Sequence, residues 1–141
     1  MNRAAISVAT ALGLATALIG ASGAALAKDV NVSLNGSEET PPVTTSATGS
    51  GTISIADDHA VSGSVKTSGV DGVAAHIHQG AMGQSGPPII TLTKGQDGTW
   101  QVPAGAKLSD EQYQAFKAGN LYVNVHSAAH KPGEIRGQLK P

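Results

Sequence analysis

The sequence predicts an all-β domain, an antiparallel β-sandwich of about seven or eight short strands with one short helix. Three observations favour this fold class. Short runs of the chain alternate apolar and polar residues with the period of two that is typical of a half-buried strand. Many of the 18 glycines and 7 prolines fall between these runs, where turns are needed. One window alone, residues 109–118, has the residues that begin and end a helix.

Period-two alternation begins in the first predicted strand, where polar residues separate Val30, Val32 and Leu34. Pro41 and Pro42 must end this strand, because proline cannot donate to the hydrogen-bond ladder of a sheet. The next two strands are joined by a short turn and form a predicted hairpin. In chain order, the later strands are predicted over residues 49–56, 60–67, 73–78, 89–93, 99–102, 121–126 and 133–139.

The predicted helix begins after Ser109, whose hydroxyl is a good N-cap acceptor for the free N–H groups of the first turn. Asp110 and the acidic residue after it lie in that turn, where the helix dipole favours negative charge. Gly119 follows the last turn and is suited to end the helix. Tyr113 and Phe116 are predicted to pack the helix against the sheet.

The first residues have the pattern of a cleavable secretory signal peptide. Arg3 supplies a positive charge, residues 4–19 are small or apolar, and Ala25-Leu26-Ala27 is a small-x-small cleavage motif. The apolar stretch is rich in Ala, Gly, Ser and Thr, and this weak hydrophobicity favours cleavage over a retained membrane anchor. We therefore predict a signal peptide over residues 1–27 and one exported domain over residues 28–141, periplasmic or secreted, with no membrane association after cleavage.

Composition excludes several classes of function. After loss of Arg3 the predicted mature domain keeps 8 of 9 basic residues beside 10 acidic ones, a net charge of −2 with neutral histidines. No basic patch stands out, so nucleic acid and anionic membranes are not expected partners. The chain has no cysteine, which excludes disulfides, a lipid anchor on cysteine, thiolate ligands and thiol chemistry. No protein partner is indicated.

Histidine is the most informative residue type in the chain. In a strand, residues two apart point to the same face of the sheet. His76 and His78 therefore project together from one predicted strand, opposite the apolar Ile77. By the same spacing, Asn124 and His126 project together from a second strand. Two strands thus each present imidazoles away from their apolar side.

Two imidazoles on a rigid strand can bind one transition metal ion, and imidazole suits copper, zinc and nickel. His126 is the predicted third ligand, with His130, Met82 and Glu39 as further candidates. The alternative is a structural role, in which the ring nitrogens hydrogen-bond carbonyl groups or a carboxylate. A single His-x-His pattern does not decide between the two.

Other polar residues have weaker interpretations. Glu134 and Arg136 are two apart and are predicted to form a same-face pair, either with each other or with residues on the next strand. The favoured interpretation is a solvated or structural ion pair. Glu38 and Glu39 precede two prolines and are expected to cap a sheet edge rather than to bind an ion. His59 lies among aspartates and is expected to be solvated.

Motifs for hydrolysis or phosphate binding find little support. The sequence has no Gly-x-Ser-x-Gly motif and no evident carboxylate pair for glycoside chemistry. The glycines of residues 80–86 lack the strand–loop–helix context of a phosphate-binding loop.

Four segments, taken in order, resemble the CHRD domain, which is named for its occurrence in chordin and recurs in exported bacterial proteins. The resemblance implies an immunoglobulin-like β-sandwich or barrel and extends over residues 30–139. It implies no established reaction, and the growth-factor binding of chordin does not transfer to a single exported domain. The segments are Glu39-Thr-Pro-Pro42, Ala74-Ala-His-Ile-His-Gln-Gly80, Gly119-Asn-Leu-Tyr-Val-Asn-Val-His126 and Gly133-Glu-Ile-Arg-Gly-Gln-Leu139. The family pattern includes His76, His78, Asn124, His126, Glu134 and Arg136.

Three hypotheses of function follow, and binding is favoured over catalysis. The first is an exported module that holds a copper or zinc ion with His76, His78 and His126. The second is a non-enzymatic structural or adhesive module, in which these histidines join Asn124, Glu134 and Arg136 in a buried polar network. The third, a metalloenzyme, has least support, because the sequence shows no positioned acid or base beyond Glu134.

Overall fold

The structure, a computed structural model, describes residues 25–141. The predicted signal peptide therefore lies almost wholly outside the described residues, and its cleavage stays a prediction. All three residues of the cleavage motif, Ala25, Leu26 and Ala27, are exposed. Ala27 is also the first residue of strand β1.

Nine strands and one α-helix are present in residues 25–141, and a short 3₁₀ helix, Gly36–Glu38, follows the first strand. The ninth strand arises because the run predicted over residues 89–93 is divided at Leu92, which is buried between two short strands. In chain order the elements are β1 (Ala27–Asn35), β2 (Thr48–Ala56), β3 (Val61–Ser68), β4 (Gly72–Gln79), β5 (Pro88–Thr91), β6 (Thr93–Lys94), β7 (Thr99–Gln101), α1 (Asp110–Lys117), β8 (Leu121–Ser127) and β9 (Ile135–Leu139).

All nine strands belong to one antiparallel sheet with the order β5-β4-β8-β9-β1-β2-β3-β7-β6. The two end strands of this order, β5 and β6, are consecutive in the chain and are separated only by Leu92. The backbone N–H of Leu92 donates to the carbonyl of Ala75 in β4 at 2.9 Å, and the Lys94 ammonium donates to the carbonyl of Gly72 at 2.7 Å. The sheet thus nearly closes into a barrel, which confirms the predicted sandwich or barrel class.

The core fills the inside of this sheet. Val30, Val32 and Leu34 are buried while the residues between them are not, which confirms the period-two prediction for β1. Ile77 of β4 and Val123 of β8 are fully buried on the same inner side. Burial of an aliphatic side chain of this size is worth about 1.5–3 kcal/mol, so these positions hold the strands in register.

The helix forms as the sequence predicts. The Ser109 side chain accepts from the N–H of Gln112 at 3.1 Å, and the Gln112 side chain accepts from the N–H of Ser109 at 2.9 Å, a capping box. Phe116 is buried, and Gly119 ends the helix with a φ of +79°. Within the described residues no helix has the length and hydropathy needed to cross a membrane.

His59 is an exception to the sequence prediction, because it is not simply solvated. Its ring stacks on Tyr113 of α1 with centroids 4.3 Å apart, and its Nδ1 lies 3.4 Å from the carboxylate of the exposed Asp110. The helix, folded back on the β2–β3 turn, supplies the aromatic surface that the local sequence did not reveal.

A polar layer lies on the outer side of β4, β8 and β9, opposite the core. The register pairs His76 with Asn124, and Asn124 with Arg136. Two residues further along each strand, it pairs His78 with Tyr122, and Tyr122 with Gln138. Residues directly opposite in an antiparallel sheet share a face. We call this surface the polar face; its members are His76, His78, Tyr122, Asn124, His126, Arg136 and Gln138.

Other segments of the chain cover the polar face, which would otherwise be exposed to water. The loop of residues 80–87 hydrogen-bonds to Arg136, and Glu39 hydrogen-bonds to Asn124. Tyr122, Asn124, Arg136 and Gln138 are consequently buried. The fold therefore has an apolar core on one side of these strands and a covered hydrogen-bonded layer on the other.

Candidate metal centre

The sheet brings three imidazoles together on the polar face. β4 and β8 are neighbours, and the register places His126 opposite Ala74, directly beside His76 and His78. One ring nitrogen from each of these three histidines lies within 4.8 Å of the other two. The ring centroids are 5.0 to 5.7 Å apart. We call His76, His78 and His126 the histidine cluster.

Two backbone carbonyls fix which nitrogen carries hydrogen in two of the rings. His78 Nδ1 lies 2.9 Å from the carbonyl oxygen of Gly86, and His126 Nδ1 lies 2.8 Å from that of Lys131. A carbonyl only accepts, so each Nδ1 is the donor and each Nε2 of the neutral ring has a free lone pair. Within residues 25–141, His78 Nε2 is the one buried side-chain polar atom that lacks a hydrogen-bond partner.

The third ring is joined to the cluster directly. His76 Nδ1 and His126 Nε2 are 3.1 Å apart. Because His126 Nε2 carries no hydrogen, His76 Nδ1 donates to it. Two nitrogens bound to one tetrahedral zinc ion at 2.0–2.1 Å are about 3.3 Å apart. The two nitrogens are therefore already at the spacing of adjacent ligands.

The surroundings keep two of the imidazoles neutral. Burial lowers the pKa of His76 below its ordinary value, and the neighbouring His126 lowers it further. Burial also lowers the pKa of His78, as do His126, His76 and Arg136, against an opposing hydrogen bond to the Gly86 carbonyl. Neutral imidazole is the form that binds metal ions, so His76 and His78 are in their binding form at neutral pH.

Comparison with known proteins gives the family. The model of the CHRD domain family matches residues 30–139, from β1 to the end of β9. The chain belongs to the CHRD family. Searches among curated proteins and among solved structures gave no match. The matched region contains the whole polar face, so the histidine cluster lies within the CHRD domain itself.

The further ligand candidates occupy other places in the CHRD domain. Neither His130 nor Glu39 belongs to the histidine cluster. Both line a separate cavity of about 210 Å³. Met82 lies in the 80–87 loop, is 58% exposed, and lines a second cavity with Glu38 and Glu39.

Glu39 is buried rather than placed at a solvated sheet edge, which corrects the prediction of an edge cap. It is 7% exposed and accepts a short hydrogen bond from the amide of Asn124. Burial raises the pKa of Glu39 above its ordinary value, although the Asn124 hydrogen bond and the charge of Arg136 act against that rise. The segment after β1 folds over the polar face, and that fold carries the carboxyl inward.

Glu134 and Arg136 do not pair with each other; of the two arrangements predicted, Glu134 makes the one with the neighbouring strand, through Ser127 of β8. Glu134 accepts from the hydroxyls of Thr45 and Ser127 at 2.8 and 2.7 Å. Arg136 instead donates to carbonyls of the 80–87 loop. Strand β9 begins only at Ile135, so Glu134 precedes the strand and the same-face rule does not apply to it.

Sequence reasoning missed several residues that shape the site. Tyr122, whose ring stacks on His78 with centroids 4.8 Å apart, and Gln138 lie two residues from Asn124 and Arg136. Period-two spacing was a signal that could have placed them on the same face. The carbonyls of Gly86 and Lys131 carry no such signal, because every residue has a carbonyl.

The free ring nitrogens of the cluster have the chemistry that metal coordination requires. The hydrogen bonds of the three rings go to one another and to two backbone carbonyls. No carboxylate or hydroxyl is in hydrogen-bond contact with these rings in the described part of the chain, so Nε2 of His78 is not engaged by a side-chain donor there. His76 and His126 are only partly buried, which leaves the cluster open to an entering ion.

Proposed function

We propose that this CHRD domain binds a transition metal ion of the copper or zinc type through His76, His78 and His126. The observation that carries the proposal is the buried Nε2 of His78, a free lone pair without a hydrogen-bond partner among its described neighbours. A buried polar atom without a partner costs about 1–3 kcal/mol, and an ion would remove that cost.

The orientation of the rings supports this function. Histidines that bind metals commonly donate their second N–H to a carbonyl or carboxylate, which fixes the ring. His78 and His126 make such bonds in the metal-free protein, each with Nε2 as the free donor atom. His76 would contribute Nδ1, the atom that faces His126, with its hydrogen moved to Nε2.

The donor set favours some ions over others. Three imidazoles without a carboxylate suit copper and zinc, whereas magnesium, calcium and manganese prefer oxygen ligands. Three protein ligands leave a position for water or an exchangeable ligand. We infer a role in metal storage, handling or resistance outside the cytoplasm. The predicted signal peptide supports that location.

Titration of the purified protein with Zn²⁺ and Cu²⁺ tests this function. We expect one equivalent to bind with micromolar or tighter affinity, and the double variant His76→Ala, His78→Ala to weaken binding by at least about 100-fold, because two of three ligands are lost. His130→Ala is the matched control, since His130 is partly buried but lies outside the cluster. Millimolar affinity, or binding that survives the double substitution, contradicts the proposal.

A second function has support from a different observation. The Asn124, Arg136 and Gln138 side chains of the polar face are hydrogen-bonded, and His76 and His126 bond to each other. This arrangement suits a structural or adhesive module whose polar layer fixes the strand register. Such a role predicts that His76→Ala lowers the unfolding temperature in the presence of a chelator. Equal unfolding temperatures under those conditions argue against it.

A further inference from the structure

We propose that Arg136 is a positioning residue for the histidine cluster. It holds the 80–87 loop against the sheet so that the carbonyl of Gly86 keeps His78 with Nε2 free. The value of this arrangement for the protein rests on the proposed metal binding. The contacts themselves exist in the metal-free protein and can be tested there.

Arg136 is a buried cation whose partners lie mainly in the loop. It is 2% exposed, and its guanidinium donates to the carbonyls of Gln84 at 2.7 Å and Ala81 at 2.9 Å, and to the Gln138 side chain at 3.1 Å. Within residues 25–141 no carboxylate lies within 4.0 Å of it. A buried charge is tolerated only when its donors are satisfied, so the loop carbonyls are required where they are.

The loop, held in place by Arg136, in turn orients His78. Gly86 donates its N–H to the Tyr122 hydroxyl at 3.0 Å and accepts from His78 Nδ1 at 2.9 Å. Gln138, itself bonded to Arg136, donates to the carbonyl of Gly80 at 2.8 Å. Both ends of the loop are therefore fixed to β8 and β9, and the end at Gly86 contacts the imidazole.

Arg136 also acts on His78 through an aromatic ring that both residues contact. The guanidinium carbon of Arg136 lies 3.4 Å from the centroid of the Tyr122 ring, a cation–π contact. The same ring stacks on His78 with an interplanar angle of 6°. Arg136 thus fixes the plane against which His78 lies as well as the carbonyl to which His78 donates.

The close approach of the loop is built into the sequence. A Cβ at Gly86 would overlap the carbonyl oxygen of Gln79, so a side chain cannot be accommodated at this position. The loop returns to the end of β4 at this point, within reach of His78. Loss of Arg136 would leave the middle of the loop without its two donors, and the Gly86 carbonyl would no longer be held in place.

The test compares Arg136→Met, which removes all donors, with Arg136→Lys, which keeps the charge but lacks the planar fork. Nitrogen-15 NMR of the metal-free protein reports which nitrogen of each imidazole carries hydrogen. We expect Arg136→Met to abolish the Nδ1–H state of His78 while His126, bonded to Lys131, keeps its own. Zn²⁺ affinity should fall about 10–100-fold, the usual loss when a group that orients a ligand is removed. Arg136→Lys should give intermediate values in both measurements.

Glu134→Gln is the matched control, since Glu134 is also buried beside β9 but bonds to Thr45 and Ser127 instead of the loop. It should change neither measurement. A folded Arg136→Met protein with unchanged His78 tautomer and Zn²⁺ affinity overturns the proposal. If Arg136→Met does not fold, an unchanged His78 in Arg136→Lys overturns it equally. If the unmodified protein binds no Zn²⁺, the proposed function fails, while the tautomer of His78 still decides the role of Arg136.

Discussion

At the residue scale, the three imidazoles differ in what holds them. His78 and His126 each bond to a backbone carbonyl, whereas His76 bonds to His126. Among the three, only His78 is buried, and its Nε2 has no partner among the described residues. If the proposed ion binds, we therefore expect the environment of His78 to change most.

The lowered pKa values of His76 and His78 predict a pH dependence of stability in the metal-free protein. Their folded-state pKa values lie below the unfolded value of about 6.5, so the unfolded chain takes up protons first as pH falls. The free energy of unfolding should be fully retained above about pH 6.5 and should decrease below it, until the folded-state pKa values are reached. Urea unfolding at several pH values measures this.

The double variant His76→Gln, His78→Gln is the comparison for that series. It should flatten the decrease between pH 6.5 and the lower folded-state values, because neither glutamine titrates. A decrease of the same size in this variant would assign the pH dependence to other groups.

Glu39 gives a prediction of opposite sign. Its pKa is raised in the folded protein, chiefly by burial, so ionisation at higher pH costs stability. Glu39→Gln keeps an acceptor for Asn124 without the charge. Glu39→Gln should therefore raise the free energy of unfolding, relative to the unmodified protein, by more at pH 7 than at pH 4. Urea unfolding at both pH values decides this, and a difference that is equal at the two contradicts it.

At the element scale, the connection before β9 is as important as the strand. Gly133 has a φ of +133°, and a Cβ there would lie 2.5 Å from Asn124 Nδ2 and 2.6 Å from Glu39 Oε1. This residue permits both the turn into β9 and the hydrogen bond between Glu39 and Asn124.

Gly133→Ala should accordingly destabilise the domain by about 1–3 kcal/mol or more, through backbone strain and loss of that hydrogen bond. Gly105→Ala is the control, since Gly105 also has a positive φ, +80°, but a Cβ there would meet no atom within 4 Å. The loss of unfolding free energy in Gly105→Ala should come from backbone strain alone. Equal losses of unfolding free energy in the two variants would show that the Glu39–Asn124 bond contributes nothing.

Strands and helix were predictable where a local pattern has one physical cause. The alternation of Val30, Val32 and Leu34 follows from burial of one face of the strand. Ser109 caps the helix because the free N–H groups that it bonds belong to the residues just after it in the sequence. The split at Leu92 was not predictable, because it depends on a hydrogen bond to Ala75 across the closed sheet. Boundaries set by distant partners leave no local signal.

The candidate site was predictable to the same extent. Period-two spacing put His76 with His78, and Asn124 with His126, on common faces, but it could not say that β4 and β8 are neighbours. It also failed at Glu134, which was placed in a strand that begins one residue later. That the 80–87 loop covers the polar face could not be predicted from the sequence, because every residue has a carbonyl acceptor and only the tertiary fold shows which ones are used.

At the scale of the whole molecule, metal binding should be visible as stability. An ion that binds only the folded protein adds about 2.7 kcal/mol to the free energy of unfolding when its concentration is 100 times the dissociation constant. Urea unfolding of the protein with and without Zn²⁺ measures this gain. The His76→Ala, His78→Ala protein should show no gain, and an equal gain in that protein would locate the ion elsewhere.

The fold explains why one domain can hold both a core and a site. The inner faces of β4 and β8 contribute Ile77 and Val123 to the core, while their outer faces carry the histidine cluster. The three histidines thus lie on strands that are fixed by the core, which keeps the spacing of the proposed ligands constant.

Zn²⁺ titration of the nitrogen-15 labelled protein, followed by NMR of its five histidines, tests the central claim most directly. The account predicts that one equivalent shifts the signals of His76 Nδ1, His78 Nε2 and His126 Nε2 to metal-bound values. His59 and His130 should remain unchanged in the same spectra. Metal-bound signals at His59 or His130, or an unchanged His78 Nε2 at saturating Zn²⁺, would contradict it.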